Sequence, residues 1–223
     1  MSQPATKTAH WDKHAWEIPV DDTLCFQAIT QDAALIPLVL KHCRHFHLAV
    51  QAGGNVGVYP SKLAVEFAQV LTWEPSPANF HCLRENTDRW DTGNIFAFHA
   101  MLDANPSQRR PLELAEANNC GTYRVGHPGG ASPLAAPAMR LDDLHLDRCD
   151  LIWFDIEGYE LFALKGAERT IARHKPVIAV EVKDHCRRYG YSEADLCGWI
   201  LAQGYTYAET VKDDRVFVPR EGR

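Results

Sequence analysis

Apolar residues along this chain gather in short, nearly unbroken runs. His47–Gln51 (HLAVQ), Asp150–Asp155 (DLIWFD) and Pro176–Val182 (PVIAVEV) are too short for helices and rich in β-formers. Such runs predict strands buried on both faces of a sheet. Val70–Glu74 (VLTWE) and Asn94–His99 (NIFAFH) predict two more. Between them, apolar positions recur at helical spacing. Tyr59–Val70 carries Leu63, Val65, Phe67 and Ala68, and Ala78–Asn86 starts a second helix. Tyr159–Arg173 carries Leu161, Leu164 and Ile171 on one face. Ser192–Gln203 opens on a Ser N-cap with Glu193 in its first turn. Strands alternating with helices at this spacing predict a doubly wound α/β sheet with helices on both faces. Tyr205–Glu209 and Arg215–Val218, around a turn at Asp213–Asp214, add an antiparallel edge to an otherwise parallel sheet of about seven strands.

Two stretches interrupt the rhythm. Residues 1–45 read as an N-terminal extension. His14–Val20 and Leu24–Ile29 flank the turn-like Asp21–Thr23 and predict a hairpin. Asp32–Cys43 predicts a short helix limited by Pro37. Within the main domain, 46–223, residues 103–149 are rich in Pro, Gly and Ala and too long for a plain connection. They predict one strand at Gly121–Val125, a turn at His127–Ala131, and a cover over the substrate site.

With 46% hydrophobic and 23% charged residues, the composition is that of a globular protein. A net charge of -6 disfavours a nucleic-acid partner. The 7 cysteines are scattered without a CxxC pair, which predicts reduced thiols. The N-terminal segment lacks an apolar signal stretch, and no apolar run approaches the ~18–20 residues of a membrane span. The expectation is a soluble cytoplasmic protein.

The chemistry starts at Leu48–Gly57 (LAVQAGGNVG), a strand running into a glycine turn and then a helix, the arrangement that cradles a nucleotide cofactor. The dinucleotide pattern G-x-G-x-x-G fails at Ala52. The S-adenosylmethionine pattern acid-x-G-x-x-x-G fits at Gly53 and Gly57 and has Gln51 in the acidic position. Glu74 ends the second strand, where a carboxylate accepts hydrogen bonds from a ribose diol in either cofactor class. In DIEGYE, Asp155 ends a strand on the ligand-binding edge, and Glu157 and Glu160 sit where a helix dipole favours negative charge. The histidines of His42–His47 fit no zinc spacing. Arg109–Arg110 and Arg187–Arg188 read as solvated surface. His99, His127 and Trp153 are lesser candidates, and Trp153 reads as core.

VQAGGNVG, WEPSPANFHCLREN, LDDL, LIWFDIEGYELFALKGAERTI and PVIAVEV together resemble the FkbM family of S-adenosylmethionine-dependent methyltransferases. The resemblance runs from about Leu48 to Val182 and implies a Rossmann-like class I methyltransferase. It implies that Gly53, Gly54, Asn55 and Gly57 line the methionine and ribose part of the cofactor and that Glu74 holds the ribose. Pro75, Ser76, Ala100 and Met101 would border the adenine, and Asp155 would face the transferred methyl. Gln51 stands for the family's acid and Gly54 for its alanine, which reads as re-tuned cofactor binding. Methyl transfer to oxygen, on a sugar or similar hydroxylated metabolite, needs a base, for which Asp155 and Glu157 are the candidates. A metal-assisted variant would use Asp155 and Glu181 to hold Mg²⁺. The competing readings are an NAD-dependent oxidoreductase, a nucleotide or nucleic-acid methyltransferase, and a non-enzymatic protein keeping a degenerate cofactor fold.

Overall fold

In the computed structural model, which describes residues 3–90, 93–107, 109–126 and 132–220, the chain opens with a hairpin one strand earlier than expected. It is formed by β1 (Thr6–Trp11) and β2 (His14–Pro19). The turn lies at Asp12 and Lys13, both left-handed (φ 51 and 66), the backbone hand that matches strand twist. Leu24–Ile29, expected as a strand, instead starts α1 (Cys25–Asp32). The Asp22 carboxylate is the cause: it accepts the Cys25 and Phe26 N–H groups at 3.1 and 3.0 Å and so caps the first turn. The short helix expected over Asp32–Cys43 is instead a 3₁₀ turn (Ala33–Leu35) followed by α2 (Ile36–Leu40), with Pro37 in its first turn as expected.

The α/β rhythm then runs through β3 (Leu48–Ala52), α3 (Val58–Glu66), β4 (Gln69–Trp73), α4 (Pro77–Trp90) and β5 (Ile95–Phe98). The 103–149 region is more ordered than the single strand read from the sequence. It contributes β7 (Arg109–Leu114), β8 (Tyr123–Val125) and β9 (Ala135–Met139) to a four-stranded sheet completed by β6 (Met101–Leu102), in the order β6-β9-β7-β8. The turn at His127–Ala131, and His127 itself, lie outside the described residues.

The second half supplies β10 (Leu151–Phe154), α5 (Glu160–Lys165), α6 (Glu168–His174), β11 (Val177–Glu181), α7 (Glu193–Ala202), β12 (Tyr205–Val211) and β13 (Asp214–Pro219). The single helix expected over Tyr159–Arg173 is two. Gly166 packs so closely that a Cβ there would lie 2.6 Å from the Asp103 carbonyl oxygen. Asp142 then caps the second piece by accepting from the Arg169 and Thr170 N–H groups at 2.9 and 2.8 Å. Ser192 and Asp195 form a reciprocal capping box at the start of α7.

The seven-stranded sheet has the order β12-β13-β11-β10-β3-β4-β5. The antiparallel strand is β13, which pairs with both β11 and β12, so β12 holds the edge. One core on one face joins Val50, Ile152, Phe154 and Val180 to α5, α6 and α7. The other joins Ala49, Trp153 and Ala179 to α3 and to residues of the N-terminal segment, among them Trp16, Ile36 and Val39. The alternation of β-strand side chains thus divides each apolar run between two cores. Residues 3–45 share the second core rather than standing apart from it.

Candidate functional site

The carboxyl ends of β3, β4, β10 and β11 open into a cavity of about 290 Å³, the edge at which open α/β sheets bind ligands. Its wall includes Gln51, Gly53, Gly54, Asn55, Glu74, Pro75, Ala100, Met101, Asp155, Glu157 and Glu181. Gly57, left-handed at φ 96, caps the N-terminus of α3 behind this wall, and Ser76 is fully buried with its N–H on Glu74.

The glycine turn fits against its neighbours without slack. Gly53 has φ 88, and a Cβ there would lie 1.9 Å from the Asp155 carbonyl oxygen, so no other residue fits. The Gly53 and Gly54 N–H groups both donate to the Trp73 carbonyl at the end of β4, at 3.0 and 2.9 Å. A methyl on Gly54 would meet Leu83 Cδ1 at 2.5 Å and Thr72 Oγ1 at 2.7 Å; those two atoms fill the space of the family's alanine. Gln51 is buried. Its amide N–H donates to the Ala52 and Gly53 carbonyls at 3.2 and 2.9 Å, and its carbonyl accepts from the Thr72 hydroxyl. The expected effect of Gln51, a lost charge facing the ligand, is therefore accompanied by a structural one: it closes the turn on itself.

Glu74 is 4% exposed. One carboxylate oxygen accepts the Asn55 N–H and the other the Ser76 N–H, each at 2.8 Å. Burial pushes its pKa up to about 7, against the pull of those two N–H groups. Beside it, Asn79 donates through Nδ2 to the Cys120 carbonyl at 2.8 Å, which leaves its buried Oδ1 without a donor in the protein. Asn79 lines the cavity. An orphan acceptor next to a carboxylate fits a ligand rich in hydroxyl and amino donors, as an adenosine is.

The floor beyond the turn is acidic. Asp155 is exposed at the cavity wall. Water displaced by the protein packed around its carboxyl, and the charges of Glu181, Asp214 and Glu157, push its pKa well above the usual carboxylate range. Burial, with Glu181 adding to it, pushes Asp214 up to about 7. Glu157 is left-handed at φ 57 and pairs with His185 Nδ1 at 2.9 Å. Burial and Glu181 raise its pKa, and His185 opposes them. Lys183 bridges Glu181 and Asp213. Burial works against the Lys183 ammonium, but its hydrogen bond to Glu181 holds its pKa above the ordinary lysine value. Glu157, Glu181 and His185 bring their ligand atoms within 4.8 Å of one another, a spacing that a metal could use. Two of the three are already engaged within the chain, Glu181 by the Lys183 ammonium and Glu157 by the His185 ring. Glu160 has a different task. It is buried, and its carboxylate accepts the Ile156 and Gly158 N–H groups at 3.1 and 3.2 Å, which closes the strained turn.

The sequence reading missed several residues of the cavity. Tyr59, edge-on to Trp153 with ring centroids 5.2 Å apart, forms part of the wall. Leu24, Cys25 and Ile29 come from the N-terminal segment and Cys120–Val125 from the insertion. Asn79 had a signal, its place inside EPSPANF; the other segments reach the site only through the fold. Trp153, read as core, is both core and wall. The arginine pairs lie in ion pairs or on backbone: Arg110 with Asp103, Arg187 with Asp184, Arg188 with Glu113, and Arg109 on the Ala135 carbonyl. His42 pairs with Glu209, and His99 stacks on Phe80 at 4.7 Å. No helix among the described residues is long and apolar enough to cross a membrane.

The model of the methyltransferase FkbM domain matches residues 51–207, well over half of the chain. The chain belongs to the FkbM methyltransferase domain family. Among solved structures it is similar to the methyltransferase FkbM from Methylobacillus flagellatus KT, with 22% identity over 78% of this chain and 43% of that one and a TM-score of 0.55. The fibrillarin/Nop5p complex gives 16% identity, coverage of 84% and 81%, and a TM-score of 0.50. The precorrin-6y C5,15-methyltransferase of Geobacter metallireducens GS-15 gives 13% identity, coverage of 85% and 86%, and a TM-score of 0.49. The first two carry the fold, the Rossmann-like class I methyltransferase sheet. The chain spans less than half the length of the Methylobacillus protein. No curated protein sequence matches it.

Proposed function

We propose that this member of the FkbM family transfers a methyl group from S-adenosylmethionine to an oxygen of a small hydroxylated acceptor, with sugars as the substrate class. The observation that carries the reading is the juxtaposition, in one cavity, of the Gly53–Asn55 turn and Glu74 with the acidic end of β10 at Asp155. When bound, the cofactor supplies a methyl on a sulfonium, open to in-line attack. Glu74 accepts from the ribose hydroxyls through lone pairs that its two N–H partners leave over. Asn79 Oδ1 accepts one further donor of the adenosine. The carboxylates of the floor favour a cationic sulfur. Asp155 takes the proton of the acceptor hydroxyl; its raised pKa makes its ionised form a stronger base than an ordinary carboxylate. Glu157, oriented by His185, is the second base within the same floor. With Lys183 already neutralising Glu181, Asp155 and Glu181 act without Mg²⁺. The insertion strands and α1 cover the acceptor side. The scattered cysteines, with no CxxC pair, support the cytoplasm as the compartment.

The test is turnover with methyl-labelled S-adenosylmethionine over a panel of sugars and polyols. Asp155→Asn is expected to lose about 100-fold or more in turnover while its affinity for S-adenosylhomocysteine stays within about threefold of the parent. Undiminished turnover in this variant would remove Asp155 as the base. Tight binding of NAD in place of S-adenosylhomocysteine would overturn the reading altogether.

A further inference from the structure

Two cysteines of the cavity wall have no part in the chemistry above. Cys25 is the first residue of α1, and Cys120 lies in the 3₁₀ turn of the insertion. The two sulfurs and a carboxylate oxygen of Asp22 all lie within 4.8 Å of one another. One carboxylate ties the two backbones together: Asp22 Oδ1 accepts both the Cys25 and the Cys120 N–H, each at 3.1 Å. The same seam is closed by the Thr23 N–H on the Asn118 carbonyl at 2.9 Å. Both sulfurs also meet the cofactor turn. Asn55 Nδ2 donates to Cys25 Sγ at 3.2 Å, and Cys120 Sγ donates to Asn55 Oδ1 at 3.6 Å.

We propose that Cys25 and Cys120 form a dithiol–disulfide pair in the wall of the cofactor cavity, and that its oxidation weakens cofactor binding. The regulatory half rests on the cofactor reading above. Cys25 Sγ accepts from the Asn55 amide while Cys120 Sγ donates to it, so Cys25 is the attacking group and Cys120 the resolving one. The Cys25 thiolate, with Asn55 Nδ2 donating to it, attacks one sulfur of a small disulfide RSSR and releases RS⁻. Cys120, deprotonated in turn, attacks Cys25 Sγ and releases the second RS⁻. The two protons of the thiols end on the two RSH, so the pair loses two electrons and RSSR gains them. The other five cysteines do not line the cavity.

A sulfur–sulfur bond of ~2.0 Å draws both atoms off Asn55. That residue is left-handed, at φ 49, and its N–H donates to Glu74. Its side chain then keeps only the Val56 N–H, which Oδ1 accepts at 2.8 Å, and with both sulfur contacts gone it holds the turn and Glu74 in register less firmly. Two thiols beside a carboxylate also suit a thiophilic cation, but both Asp22 oxygens already accept N–H groups, at Cys25, Phe26 and Cys120.

The experiment equilibrates the full chain with bis(2-hydroxyethyl) disulfide and maps cross-linked peptides by mass spectrometry without reduction. Calorimetry with S-adenosylhomocysteine is run on the reduced, oxidised and re-reduced chain. The expected results are a Cys25–Cys120 linked peptide, affinity at least tenfold weaker in the oxidised chain, and recovery on reduction. Cys120→Ser should instead accumulate a mixed disulfide at Cys25, and the double variant Cys25→Ser/Cys120→Ser should be indifferent to the oxidant. Absence of the linked peptide, equal affinity of the linked and reduced chains, or an equal loss in the oxidised double variant would each overturn the proposal. So would stoichiometric Zn²⁺ protecting both thiols, which would make the pair a metal site. If the reduced chain binds no S-adenosylhomocysteine, the cofactor reading falls and takes the regulatory half with it, while the linked peptide still decides whether the pair exists.

Discussion

Gln51 closes the cofactor turn by donating to two backbone carbonyls, of Ala52 and Gly53. A carboxylate has no proton to give them. Gln51→Glu, which restores the family's acid, is therefore expected to lower stability by ~1–3 kcal/mol, read as a lower melting temperature. A stable variant with tighter cofactor binding would show that the side chain faces the ligand instead. The sequence exposed the oddity of Gln51 but not the direction of its amide, because the partner, Thr72, lies on the neighbouring strand and nothing local announces it. Glu160 gives a pH-dependent counterpart. Burial pushes its pKa up to about 8, so the folded chain keeps a proton that the unfolded chain releases. Its stabilising contribution is full below the ordinary carboxyl pKa and is lost as the pH rises to about 8. Glu160→Gln keeps an acceptor for the Ile156 and Gly158 N–H groups and removes the titration. Its melting temperature should fall less than the parent's between about pH 5 and pH 8.5; equal slopes would contradict this.

At the scale of elements, the N-terminal hairpin is part of the fold rather than an appendage. Trp16 of β2 is fully buried in the second core, and the Asn86 side chain of α4 bonds both the N–H and the carbonyl of Glu17. Trp16→Ala should cost ~3–5 kcal/mol, measured by chemical denaturation; a loss under about 1 kcal/mol would mean that the hairpin is peripheral. Local pattern located this hairpin one strand too late. Asp21–Thr23 has turn residues, yet Asp22 serves as a helix cap, while Asp12–Lys13, which makes the turn, has no glycine or asparagine to mark it. The insertion was less legible still. Its sheet rests on pairings such as Arg110 with Ala136 and Leu112 with Val125, which no local periodicity encodes. The strands β3, β10 and β11 were legible because burial on both faces leaves an unbroken apolar run.

Over the whole molecule, the sheet order sets the site. β3 and β10 are adjacent and parallel, and the chain runs from β3 toward β4 and β5 on one side and from β10 toward β11 on the other. The crevice at that reversal holds Gly53 from one strand end and Asp155 from the other. The parallel alternation and the two motif-bearing strand ends were readable from sequence. The roof was not, since Leu24–Ile29 and Cys120–Val125 reach the cavity only after the chain has folded around it. We propose that S-adenosylmethionine binds in this crevice through Glu74, and calorimetric titration of S-adenosylhomocysteine into the reduced parent chain and into Glu74→Ala decides it. The prediction is one site per chain in the parent and affinity at least about 10-fold weaker in the variant, the loss expected for charge-assisted hydrogen bonds. No binding to the parent, or equal affinity of the two, would contradict it.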